Sequence, residues 1–163
     1  MTPTPTGRIR PTESGIDLEI VRTFTAPIDD VWASVTESER TARWFGAWEG
    51  ESGIGQTIRV ELAFEDGKPW MDMQIDACAP PEHLAVSTSD DVGAWLLELR
   101  LVENSGVTTL TLVQHRPDRT GLGEIGPGWE YYLDQLVASR AGTPLPSFDD
   151  YYPAQQAYFE ALT

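Results

Sequence analysis

The stretch Arg22–Gly46, RTFTAPIDDVWASVTESERTARWFG, decides the fold. It begins in a strand. Leu18, Ile20 and Phe24 share one face, Asp17, Glu19 and Thr23 fall on the other, and Arg22 interrupts the apolar face. Ala26-Pro27 stops that strand, and Pro27 suits a first helical turn. Ile28, Val31, Trp32 and Val35 then follow at helical spacing, with Asp29 and Asp30 at the favourable end of the helix dipole. A second short helix is expected from Ser38 to Trp44, stopped by Gly46. Two short helices joined through TESE form a V. Its end is crowded with Trp44, Phe45 and, two residues on, Trp48, rings that must pack on something.

Strands follow the V. In TIRVELAF, Ile58, Val60, Leu62 and Phe64 alternate with polar residues, and EDGK signals a tight hairpin. In WMDMQIDAC, Met71, Met73, Ile75 and Ala77 alternate with Asp72, Gln74 and Asp76. After APPEH come LAVST and then GAWLLELRLV, where Trp95, Leu97, Leu99 and Leu101 are in phase. ENSG turns the chain into VTTLTLVQH. Strands that follow one another so closely read as an antiparallel meander. In GWEYYLDQLVASRAG, Trp129, Tyr132, Leu133, Leu136 and Val137 make one apolar stripe that ends at Gly142. The glycine-rich GLGEIGPG ahead of it reads as a loop.

The order predicts an α+β helix-grip fold: a curved antiparallel sheet of about six strands wrapped on a long C-terminal helix, with two short helices closing one end. The expected organisation is a flexible leader over 1–15, the helix-grip domain over 16–142, and an extension over 143–163 carrying a short helix with Tyr158, Phe159 and Leu162.

Composition narrows the function. With 26 acids against 11 bases, the net charge is −15. Binding to phosphate backbones or anionic membranes relies on clustered cations, so neither nucleic acid nor a membrane is an expected partner. Lys68 is the one lysine and Cys78 the one cysteine, which excludes an internal disulfide and a cysteine metal cluster. No apolar run approaches the roughly 18 residues of a membrane span, and the start lacks a signal-peptide core, so a cytoplasmic protein is expected. A homodimer is compatible with the sequence. His83 and His115 stand outside any H-x-x-H or HExxH pattern, so no metal is expected. Gly121–Gly126 fits G-x-G-x-x-G by its letters, but no βαβ unit surrounds it, and no nucleotide or other cofactor is expected.

The opening stretch also resembles the start of the domains related to the activator of the heat-shock protein 90 ATPase, within the START, birch-pollen-allergen and polyketide-cyclase (SRPBCC) superfamily. Ala26-Pro27, Val31-Trp32, Thr36 and Arg43-Trp44-Phe45-Gly46 carry the likeness, and Gly128–Leu136 is similar to the closing helix signature. The resemblance spans roughly Asp17 to Ala141. It implies a hollow between sheet and helix that holds a small hydrophobic or aromatic molecule, with binding rather than catalysis as the leading reading and the question of an enzyme left open. Alternatives are a cyclase- or aromatase-like enzyme and a chaperone-activator-like interaction module. The candidate wall is Met71, Met73, Leu97, Leu99, Leu112 and Tyr132, with Trp44 and Trp48 near the mouth. Arg22 and Gln114 share the apolar phase of their strands and are the candidate polar contacts. No catalytic residue is assigned. For Arg22 the competing reading is a pairing with a nearby acid.

Overall fold

The chain runs through β1 (Arg8–Thr12), β2 (Gly15–Phe24), α1 (Ile28–Thr36), α2 (Ser38–Thr41), β3 (Trp48–Glu49), β4 (Thr57–Glu61), β5 (Trp70–Ala79), β6 (His83–Ser89), β7 (Ala94–Asn104), β8 (Val107–Arg116), α3 (Leu122–Ala141) and α4 (Gln156–Glu160). The structure is a computed structural model and describes residues 2–91 and 93–163. Among the described residues the strands form one antiparallel sheet in the order β1-β2-β8-β7-β6-β5-β4-β3. This is the helix-grip arrangement, with α3 laid across the inner face.

Alternation sets that face. Ile20 pairs Leu112, which pairs Leu99, so apolar side chains from three strands stand side by side. Ile20, Leu110 and Leu112 pack with Leu133 and Leu136 of α3 and with Val31, Val35 and Trp44 of the helical V. Thr and Val dominate β8, which suits a strand paired on both sides.

Several expectations are corrected. The stretch expected as a flexible leader carries β1, which pairs β2 with Ile9 opposite Leu18. Ile9 packs on the Leu18, Leu122 and Phe159 cluster, and Pro11 is tolerated because β1 lies at the sheet edge. The part of that leader at Met1 lies outside the described residues. Helix α2 ends at Thr41, and the chain continues through turns to Gly46.

The GLGEIGPG loop is helical, because α3 starts at Leu122 and contains Pro127. Glycine and proline disfavour helix, so tertiary packing must hold these turns. A Cβ on Gly126 would sit 2.3 Å from the Phe159 ring, and one on Gly123 2.7 Å from Glu160. Small residues therefore let α4 seat directly on α3. Val137, placed in the apolar stripe by sequence, is 37% exposed. Gly142 does close the helix, in the left-handed region at φ 71°, with its N–H donating to the Ala138 carbonyl.

Strand β5 carries an irregularity between Ile75 and Ala77. A bulge reverses which residues face inward, so Cys78 replaces Ala77 on the inner face beside Leu84.

Candidate functional site

A cavity of about 390 Å³ lies between the helical V, the inner face of β4 to β8 and the Trp129 end of α3. Its floor is aliphatic: Ile58, Val60, Met73, Ile75, Leu84 and Val86, together with Leu97, Leu99 and Leu112. Its other side is aromatic, made by Trp32, Trp44, Phe45, Trp48 and Trp129.

Local chemistry fixes these rings. Trp44 Nε1 donates to the Ser34 carbonyl at 2.9 Å, and Trp48 Nε1 to the Thr36 carbonyl at 2.9 Å, so both indoles are tied to α1. Ser38 clamps Trp48 from the other side, donating to its carbonyl and accepting from its N–H. Gln135 Nε2 donates to the Trp44 carbonyl at 2.9 Å, which joins the V to α3. Phe45 stacks on Trp129 with centroids 6.4 Å apart and meets Tyr132 edge-on at 5.2 Å. Gly46 was expected as the stop of the second helix. It serves close approach as well, since a Cβ there would meet the Glu61 carbonyl oxygen.

Of the residues singled out by sequence, Trp44, Trp48, Met73, Leu97, Leu99 and Leu112 line this cavity. Four others do not. Arg22 turns to α3, where Nη2 meets Glu130 Oε1 at 2.8 Å and Nε meets Asp134 Oδ1 at 2.9 Å. Burial works against its charge, but the two carboxylates outweigh it and hold the guanidinium pKa above its ordinary value. The competing reading, pairing with an acid, is what the structure contains. Gln114 is fully buried and accepts from Trp129 Nε1 at 2.7 Å, so it braces a wall residue from behind. Met71 packs with the Ile58 and Val60 cluster outside the cavity. Tyr132 donates its hydroxyl to Glu65 at 2.7 Å, and burial together with that carboxylate pushes the phenol far above its usual pKa.

Sequence reading missed Trp32 and Trp129 as wall residues because their helical spacing signals core equally well. It missed Cys78 because a bulge leaves no mark in an alternating pattern.

Glu98 also borders the cavity, but its carboxylate belongs to the outer face of the sheet. There His83 Nε2 lies 2.6 Å from Glu98 Oε1, and His115 bridges Glu98 Oε2 and Asp17, the latter at 2.6 Å. An imidazole facing a carboxylate from each nitrogen is favoured in its doubly protonated form, which donates to both. Burial opposes that charge, yet Asp17 and Glu98 hold the His115 pKa above the ordinary imidazole value. Burial likewise disfavours the Glu98 carboxylate, and the hydrogen bonds from His83 and His115 overcome it and lower its pKa.

The family model described as Activator of Hsp90 ATPase homolog 1-like protein matches residues 25–139. No curated protein matches the chain significantly. Among solved structures the chain is similar to CalU16 from Micromonospora echinospora, at 27% identity and a TM-score of 0.78, covering 98% of this chain and 96% of that one. It is similar to DynU16, a protein of the dynemicin biosynthetic locus, at 26% identity and a TM-score of 0.69, covering 84% of this chain and 50% of that one. The protein encoded by BPP1335 from Bordetella parapertussis shares the fold, at 22% identity and a TM-score of 0.75 over 100% of this chain and 96% of that one.

Proposed function

The chain belongs to the Activator of Hsp90 ATPase homolog 1-like family, and from that membership and the cavity we propose that it binds a small hydrophobic or aromatic molecule between the sheet and α3. The carrying observation is the hollow itself. A concave space of about 390 Å³, open on one side and walled mainly by apolar side chains, is the form that small-molecule sites take. The aromatic V and the aliphatic floor supply apolar surface that a ligand would remove from water, at roughly 25 cal/mol per Å².

Binding is favoured over catalysis by the state of the polar groups. Among the described residues lining the cavity, Glu98 is the one ionisable acid or base apart from the thiol of Cys78. Its oxygens already accept from His83, His115 and Arg100, which leaves no free acid–base pair facing a substrate. A place near small-molecule biosynthesis fits this reading, since DynU16 stands in the dynemicin biosynthetic locus.

The test is direct titration. A neutral solvatochromic dye such as Nile red should bind the native protein saturably, with one site. Leu99→Trp should abolish that binding with the helical signal retained. A dye that partitions without saturation, or binds Leu99→Trp equally well, overturns the reading and favours an interaction module.

A further inference from the structure

Resting on the binding reading above, we propose that the cavity selects an uncharged aromatic molecule bearing a hydrogen-bond-accepting oxygen, and that the indole N–H of Trp32 receives that oxygen. Two independent observations carry this.

The first is the charge inventory of the wall. Among the described lining residues there is no lysine, arginine or histidine. The one carboxylate, Glu98, is held on the other face of the sheet by His83 and His115. An anionic ligand would therefore lose its hydration with no counter-charge, and a cationic one would find aromatic faces on one side and aliphatic floor on the other. Burying an uncompensated charge costs far more than an apolar contact returns.

The second is the donor inventory. Trp44, Trp48 and Trp129 each give their N–H to a protein acceptor, and these bonds lock the rings in place. The hydroxyls of Thr36 and Thr41 donate back to the Trp32 and Ser38 carbonyls, while that of Ser52, also lining the cavity, is exposed and has no acceptor among the described residues. Trp32, half-buried on the same wall, is the lining indole whose N–H has no acceptor among the described residues. Its nitrogen is accessible rather than sealed in the core, so a ligand oxygen can take the place of water as its acceptor. That oxygen would sit at the N-terminal side of the V, leaving the rest of the ligand on the apolar floor.

Four probes sharing one ring system test this: acetonaphthone, ethylnaphthalene, naphthoate and naphthyltrimethylammonium, titrated calorimetrically at neutral pH. Acetonaphthone should bind tightest. Naphthoate and the ammonium probe should bind at least about 100-fold more weakly. Ethylnaphthalene should fall below acetonaphthone by about fivefold to tenfold, and Trp32→Phe should erase that gap. Trp70→Phe, at an exposed tryptophan outside the cavity wall, should leave it. In wild-type protein the Trp32 indole N–H resonance should shift downfield with acetonaphthone and much less with ethylnaphthalene, a readout that stands even if a variant fails to fold. If no probe binds, the cavity reading itself falls. Binding of naphthoate or the ammonium probe as tightly as acetonaphthone overturns the charge inference. A preference for acetonaphthone that survives Trp32→Phe, or an indole resonance that does not distinguish the two neutral probes, overturns the role of Trp32.

Discussion

Arg22 shows how one residue can read the same in sequence for two opposite roles. A guanidinium in phase with Leu18, Ile20 and Phe24 demands a partner, and the sequence cannot say whether that partner is a ligand or the protein's own acid. The partners, Glu130 and Asp134, come from α3, far along the chain. Glu130 is 1% exposed and also accepts from the backbone N–H groups of Thr6 and Gly7. Removing the cation strands this carboxylate, so Arg22→Met should lower stability by about 3–5 kcal/mol in urea unfolding. Binding of a neutral dye to the folded variant should stay near wild type, because Arg22 does not touch the cavity. His115 makes a second prediction. Its folded pKa lies above its unfolded value, so its contribution is complete below about 6.5 and is lost as pH rises through the folded pKa. Glu98 is lowered, so its contribution is present above its unfolded value and is lost as pH falls through the folded one. Melting temperature against pH should therefore decline on the alkaline side, and His115→Gln should flatten that limb.

At the level of elements, what the sequence disclosed depended on whether a pattern was local. Strands β2, β4, β7 and β8 and the second half of α3 follow from alternation or helical spacing within their own residues. The first turns of α3 do not, because Gly123, Gly126 and Pro127 form a helix only with α4 packed on them. The small residues that read as a loop are the same ones that admit Phe159. Gly126→Ala should accordingly be destabilising, by about 1–3 kcal/mol from overpacking, although alanine is the better helix former. A gain in melting temperature would show that helix propensity outweighs the contact. Phe159→Ala should cost about 3–5 kcal/mol, the range for a fully buried ring. The bulge in β5 is the other non-local feature. Its insertion moves Cys78 to the cavity and leaves the apolar alternation of Met71, Met73 and Ile75 unmarked.

For the whole molecule, six of the ten residues singled out by sequence line the cavity, because a cavity wall in this fold is a continuation of its core, and core residues announce themselves by phase. Trp129 joins the two, standing on α3, hydrogen-bonded to Gln114 and stacked on Phe45. Trp129→Ala should cost about 3–5 kcal/mol, and it should also weaken dye binding, since it removes part of the wall and frees Gln114. The strand order has a consequence of a different kind. From β4 to β8 each strand pairs with its predecessor, so that part of the sheet can zip hairpin by hairpin with little loop-closure entropy. Strand β2 closes a local hairpin with β1, but its pairing with β8 has no such route, because everything from α1 to β7 lies between them. The seam between β2 and β8 should therefore close late, after the barrier has been crossed. Stopped-flow chevrons check this: Ile20→Val in β2 should speed unfolding and leave refolding nearly unchanged, whereas Leu97→Ala in β7 should slow refolding.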